Sequence, residues 1–205
     1  MTEDADGFRY EEESHTYWHG KTRLLGVSEI IKAAGLKSFD GIPEETLERA
    51  RQRGKAVHDA IRYLIEGDLE WASVSPEIEP YVRAWERFQN DMGSSFSIVE
   101  HETPVYRYDI GAAGTPDLIF RINGDDGIVD FKTYKPDAVT GVQTAGYKEI
   151  KYGGHLGQCT RRWGLWLKNT GKYGLTEYKA ATDSTIFYSA LAIANFKRRQ
   201  SDERS

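Results

Sequence analysis

Apolar and polar positions along this chain follow two periods, near two and near 3.6 residues, and the switches between them outline its elements. Short β-branched and aromatic runs at 8–10 and 16–19 flank a polar stretch and predict a small hairpin. Positions 28–34 take the helical period, with Ser28 as the expected cap and Gly35 as the stop. A longer helix is predicted from Pro43, in its first turn, to Glu66 ahead of Gly67. Glu44 and Glu45 complement its dipole, and Leu47, Ala50, Gly54, Val57, Ile61 and Leu64 form its apolar stripe. A third helix starts between Pro76 and Pro80 and carries Tyr81, Val82, Trp85, Phe88 and Met92 at core spacing. Strands are expected over 98–108, 114–121 and 128–133, then a helix over 137–151 and a hairpin from 163–167 and 173–178. A last helix, capped by Thr182 or Asp183, turns Phe187, Ala190, Leu191 and Ala194 inward. This order predicts the α/β class, with a mixed sheet flanked by helices in a single domain over 1–205. Flexible ends are expected at 1–7, which is acidic, and at 201–205.

Chemistry enters with charged residues inside the apolar strands. Asp130 and Lys132 are two apart and so share one face, while Phe131 points to the opposite layer. Asp117 follows Gly114-Thr115-Pro116 at the start of the preceding apolar run, across the turn Asn123-Gly124-Asp125-Asp126-Gly127. A buried sheet carries carboxylates only for a reason. Hard divalent cations such as Mg²⁺ take oxygen ligands and keep several waters, so Asp117, Asp130 and a backbone carbonyl leave positions open for a phosphate and an attacking water. Lys132 then holds or deprotonates that water, or stabilises charge in the transition state. On the long helix His58 lies four residues after Gly54, beside the apolar stripe, and the missing side chain at Gly54 permits close approach of a neighbouring element. His15, His19, His101 and His155 lack comparable company and are read as structural or surface residues.

Pro116-Asp117 followed by Asp130-Phe131-Lys132-Thr133 resembles the PD-(D/E)XK nuclease signature. Gly54-Lys55-Ala56-Val57-His58 resembles the Gly-x-x-x-His helix motif, and Gln143-Thr144-Ala145-Gly146-Tyr147 the Gln-x-x-x-Tyr motif, of RecB-like and phage-encoded exonucleases. The resemblance implies a restriction-endonuclease-like core with an N-terminal hairpin and helical additions. It also implies the roles. His58 is a metal ligand, Asp117, Asp130 and Lys132 form the core site with the Phe131 carbonyl as a further ligand, and Gln143 and Tyr147 lie against the substrate strand. An upstream glutamate that some members use matches Glu102, with Glu100 as the competitor two residues earlier on one strand face. Members that carry an iron–sulfur cluster need four thiolates, and Cys159 is the single cysteine, so neither a cluster nor an internal disulfide is expected.

Composition modifies this in one respect. The net charge of -5 looks wrong for a DNA enzyme, but six carboxylates against Arg9 within residues 1–13 supply all of it. Between 146 and 173, Lys148, Lys151, Arg161, Arg162, Lys168 and Lys172 face only Glu149 and interleave with Tyr147, Tyr152, Trp163, Trp166 and Tyr173. That stretch is expected to bind phosphates, with Lys148, Lys151, Arg161 and Arg162 foremost, and its aromatics either stack on bases or pack in the core.

No apolar run is long enough for a membrane helix, and the acidic start is unlike a signal or transit peptide, so a cytoplasmic protein of a bacterium or phage-infected host is expected. No phosphate-binding Gly-x-x-x-x-Gly-Lys loop occurs, so a helicase or other recombination partner is a separate chain. The expectation is a Mg²⁺- or Mn²⁺-dependent exonuclease acting on DNA ends in recombination or repair. A structure- or sequence-specific endonuclease and a non-catalytic DNA-binding or assembly protein of the same fold stay open as alternatives.

Overall fold

The computed structural model describes residues 6–38, 41–153 and 159–203. Expectations about positions 1–5, His155 and residues 204–205 fall outside the described residues. In chain order the elements are β1 (Phe8–Glu11), β2 (Thr16–His19), β3 (Thr22–Gly26), α1 (Val27–Ala33), α2 (Glu44–Glu66), α3 (Glu79–Met92), β4 (Phe96–His101), β5 (Val105–Arg107), β6 (Ala112–Gly114), β7 (Leu118–Ile122), β8 (Asp125–Lys132), α4 (Ala138–Tyr152), β9 (Cys159–Leu167), β10 (Tyr173–Glu177) and α5 (Thr182–Asp202). The larger sheet has the order β10-β9-β8-β7-β4 and the smaller β1-β2-β3-β6-β5. Both are mixed: β9 runs parallel to β8 and β6 parallel to β3, among antiparallel neighbours. Parallel strands need a crossover, and α4 makes the one from β8 to β9. The run of helix, strands β4, β7 and β8, helix α4 and strand β9 is the α/β core that the sequence pattern predicts.

Helices cover the larger sheet on both faces, which is why its strands read as nearly continuous apolar runs. Leu118, Phe120, Val129, Phe131 and Leu165 pack toward Val57 and Ile61 of α2 and Trp85 and Phe88 of α3. Ile119 and Ile128 pack the other way, against Ile30 of α1, Val142 and Ile150 of α4 and Phe187 of α5. Strand alternation therefore puts Asp130 and Lys132 on the α4 face, in phase with Ile128. One close approach is built on a glycine. A Cβ at Gly127 of β8 would stand 2.2 Å from Cζ of Phe120 and 2.7 Å from both Cε atoms, inside a filled core. Gly127→Ala is therefore expected to lower unfolding free energy by about 1–3 kcal/mol, read as a reduced urea midpoint at unchanged slope.

Several boundaries differ from the sequence pattern. The single strand expected over 98–108 is two, β4 in the larger sheet and β5 in the smaller, with a bulge between Ile98 and Glu100 and Glu102 at φ 46° in the connection. The strand expected over 114–121 divides likewise into β6 and β7 across Thr115-Pro116-Asp117, where Pro116 has no N–H for a ladder. Between β4 and β7 the chain thus crosses between the sheets twice, once at Glu102 and once at Asp117. Strand β3, with two residues between it and β2, does not stand out in the sequence pattern because Thr22-Arg23-Leu24-Leu25-Gly26 does not alternate. Ser28 does not cap α1, which starts at Val27 with Gly26 before it and no side-chain cap. Asp137 does cap α4, accepting from the N–H groups of Val139 at 3.0 Å and Thr140 at 3.1 Å. Neither Thr182 nor Asp183 caps α5, and Ser201 and Asp202 end that helix instead of opening a tail.

Candidate active site

A cleft of about 700 Å³ opens where α2, the two sheet crossings, β8 and α4 converge. Helix α2 brings His58 to its wall, and the crossings bring Glu102 and Asp117. His58 Nδ1 stands 3.3 Å from Asp117 Oδ1 and 3.7 Å from Glu102 Oε1. One donor atom from each of the three lies within 4.8 Å of the others, so the trio can hold a metal ion. Backbone bonds tie these segments together. The Glu102 N–H donates to the Asp117 carbonyl at 3.1 Å, and the Phe131 N–H of β8 donates to Asp117 Oδ2. Asp117 is thereby fixed to both crossings and to the strand that carries Asp130 and Lys132.

Of the two upstream glutamates, Glu102 is the one beside His58. Glu100 turns away and pairs with Lys151, at 2.7 and 2.9 Å to its two oxygens. The bulge after Ile98 changes the side-chain phase of β4, and a regular strand over 98–108 hides that change. Asp130 is 1% exposed, and its Oδ2 is in ion-pair contact with the Lys132 ammonium.

Burial and mutual charge set the protonation. Burial opposes ionisation of Asp117, but the charge and hydrogen bond of His58, with Lys132 and the Phe131 N–H, together hold its carboxyl below the ordinary value. Burial pushes Asp130 up to about 6, with Lys132 opposing that rise and Asp117 adding to it. Burial also disfavours the charged forms of His58 and Lys132, but nearby carboxylates prevail. Asp117 and Glu102 raise His58 well above its usual value, and Asp130 and Asp117 raise Lys132. The Lys132 ammonium donates to Gln143 Oε1 at 3.3 Å, and Gln143 Nε2 donates to the Tyr147 hydroxyl at 3.1 Å. Gln143 and Tyr147 lie one turn apart on α4, so one helix face reaches the lysine through a chain of two hydrogen bonds. Tyr147 packs where a Cβ at Gly114 would stand 2.7 Å from its ring.

Other expectations fare differently. Among the described residues nothing lies within 4 Å of where a Cβ at Gly54 would stand, and Gly54 borders the open cleft, so its missing side chain leaves space rather than admitting a neighbouring element. Three of the six cations over 146–173 are paired with carboxylates. Lys151 is paired with Glu100 and Arg161 with Glu177 at 3.2 Å. Arg162 is 7% exposed, pairs with Asp183 at 2.9 Å and donates to the carbonyls of Gly141 and Ala180, so it braces α4 and α5 instead of meeting a phosphate. Lys148 is half-buried on α4. None of the four lines the cleft. Trp163 is buried in the core, whereas Trp166 is half-buried with the Lys168 ammonium 4.5 Å from its ring centroid.

The cleft also contains residues that the sequence reading missed. Tyr10 and His15 of the first hairpin reach its mouth, with the Tyr10 hydroxyl 2.7 Å from His15 Nδ1, and Arg62 lies one helical turn beyond His58. The four-residue spacing from His58 to Arg62 was a usable signal; the hairpin's position was not, because it depends on how the two sheets pack.

Cys159 is buried at the start of β9, and burial pushes its thiol up to about 11. Labelling by a neutral-pH disulfide reagent is expected to be slow in the folded protein and rapid in denaturant.

No protein-family model matches the chain, and no curated protein matches it. Among solved structures, the alkaline exonuclease LHK-Exo from Laribacter hongkongensis is similar over 89% of this chain and 95% of that one, at 12% identity and a TM-score of 0.37. Its complex with dAMP is similar over the same shares, at 15% identity and a TM-score of 0.36. At these scores the likeness adds nothing to what the chain's own residues establish. Among the described residues no helix is long and apolar enough to cross a membrane.

Proposed function

We propose that this chain is a metal-dependent deoxyribonuclease that hydrolyses phosphodiester bonds, acting as an exonuclease on DNA ends in phage or bacterial recombination and repair, in the cytoplasm. The observation that carries the proposal is the tie through Asp117. One oxygen faces His58 in a metal-competent trio, and the other accepts from the strand that presents a buried Asp130–Lys132 pair into the same open cleft.

His58, Glu102 and Asp117 hold a divalent ion, with Asp130 and the Phe131 carbonyl completing its surroundings. The donor set fits, being rich in oxygen with one imidazole, a composition that admits Mg²⁺ and favours Mn²⁺. The bound ion supplies Lewis-acid polarisation of a phosphoryl oxygen. Lys132 keeps its proton beside Asp130 and Asp117, which suits it to orient water and to stabilise negative charge developing on the phosphate. Gln143 fixes the direction of that ammonium, Tyr147 fixes the Gln143 amide, and both border the path of the scissile strand.

The test is incubation of purified protein with end-labelled linear and covalently closed circular DNA, single-stranded and duplex, with Mg²⁺ or Mn²⁺. Metal-dependent release of nucleotides from linear DNA alone is the expected result. Equal attack on closed circles would mean an endonuclease, and no cleavage with either metal would remove the enzyme reading.

A further inference from the structure

The foremost cations over 146–173 are paired or stand away from the cleft, which leaves open where a polyanion would be held, and the fold gathers another group of cations elsewhere. A second groove, of about 700 Å³, lies between β3, α1 and the C-terminal half of α5. Arg23, Lys197, Arg198 and Arg199 line it, and Glu29, which accepts from Arg23 at 3.1 Å, is the one carboxylate among the described lining residues. Two of the other cations bond to neutral acceptors. Lys197 donates to the Ala33 carbonyl at 2.7 Å, and Arg198 to the Arg23 carbonyl at 3.1 Å and to Asn195 Oδ1 at 3.3 Å. Such acceptors aim a cation without cancelling its charge. Arg199 is exposed, and Glu203 lies just past the helix end.

The groove and the catalytic cleft meet across one short helix. On α1, Ser28 lines the cleft while Glu29 and Ala33 line the groove. A helix with its side chains is about 10–12 Å across. A nucleic-acid strand rising about 3.4 Å per nucleotide covers that distance in a few residues. In a chain of net charge -5, a local excess of guanidinium and ammonium groups beside a phosphodiester-cleaving site is complementary to a phosphate backbone.

We infer that this groove binds the phosphate backbone of the DNA a few nucleotides from the scissile bond; the inference rests on the nuclease reading. It is a sequence-independent contact that holds long DNA and has no part in the chemistry.

Two measurements test it. The affinity of the full chain for a short labelled duplex is read by fluorescence anisotropy in EDTA, between roughly 50 and 200 mM salt. Hydrolysis of thymidine 5′-p-nitrophenyl phosphate with Mn²⁺ reads the catalytic cleft alone. The double variant Lys197→Gln, Arg199→Gln is expected to bind duplex about ten-fold more weakly, and its dependence of log affinity on log salt is expected to flatten by about two. Turnover of the small ester should persist, and Lys197→Arg should bind like the parent. Unchanged affinity and slope in the double variant, with a parent that cleaves both substrates, would overturn the groove. A parent that hydrolyses neither substrate would overturn the nuclease reading, while the salt slopes still judge the groove. Loss of ester turnover in the double variant would also count against the inference, since the groove would then support the cleft itself.

Discussion

Asp117→Asn is expected to remove both metal binding and hydrolysis while leaving the fold intact. The substitution keeps the shape of the side chain, and its amide oxygen can still accept the Phe131 N–H that now goes to Asp117 Oδ2. The charge facing His58 is lost. With it goes the anionic centre of the trio, so cleavage should fall by roughly 10³-fold or more. Binding itself is read by thermal unfolding. At a hundred-fold excess over its dissociation constant, a metal stabilises the folded state by about 2.7 kcal/mol. For a domain of this size that raises the midpoint by about 5–11 °C. The parent should show this rise with Mn²⁺, and Asp117→Asn should not. Metal must also displace the proton that Asp117 and Glu102 hold on His58, so the rise in the parent should grow from pH 6 to pH 8. A variant that kept both the metal-induced rise and cleavage would remove Asp117 from the site.

Lys132→Ala is expected to separate binding from chemistry. Hydrolysis should fall by roughly 10²–10³-fold, the loss that follows removal of one preorganised group opposite developing charge. The metal-induced rise in midpoint should persist, because the trio does not include the lysine. The metal-free variant should be less stable than the parent, since removing one partner of a buried pair strands the other. The pH dependence has a definite sign. Asp130 already sits at about 6 in the folded protein, above its unfolded value, and losing Lys132 moves it further up. A carboxyl raised by folding gives stability that is full below the unfolded pKa and is lost as pH rises through the folded one. The deficit of Lys132→Ala should therefore be small at pH 4 and widen toward pH 8. A deficit that instead shrank with rising pH would show that Asp130 is not the group left uncompensated.

Much of the candidate site's arrangement was legible because the residues proposed for it obey local periods. Asp130 and Lys132 share a strand face, and Gln143 and Tyr147 a helix face. The structure also draws His58 to Asp117 from a helix that the apolar stripe located correctly. What could not be read depends on packing between distant segments. The choice of Glu102 over Glu100 follows from a bulge and from a crossing between two sheets, and neither leaves a mark in the pattern. Three of the cations over 146–173 looked uncompensated because Glu100, which neutralises Lys151, is 51 positions away, and Glu177 and Asp183, which pair with Arg161 and Arg162, come only with β10 and α5. Local composition counts charges within a window, whereas the fold pairs them across it.

Glu102 occupies the left-handed region at φ 46°, where a side chain costs on the order of 1 kcal/mol relative to glycine. Directed evolution for heat resistance alone would thus drift toward Glu102→Gly and discard a carboxylate of the metal-competent trio. Laboratory selection for robustness must be coupled to selection for DNA cleavage, or it will breed well-folded proteins that no longer cut.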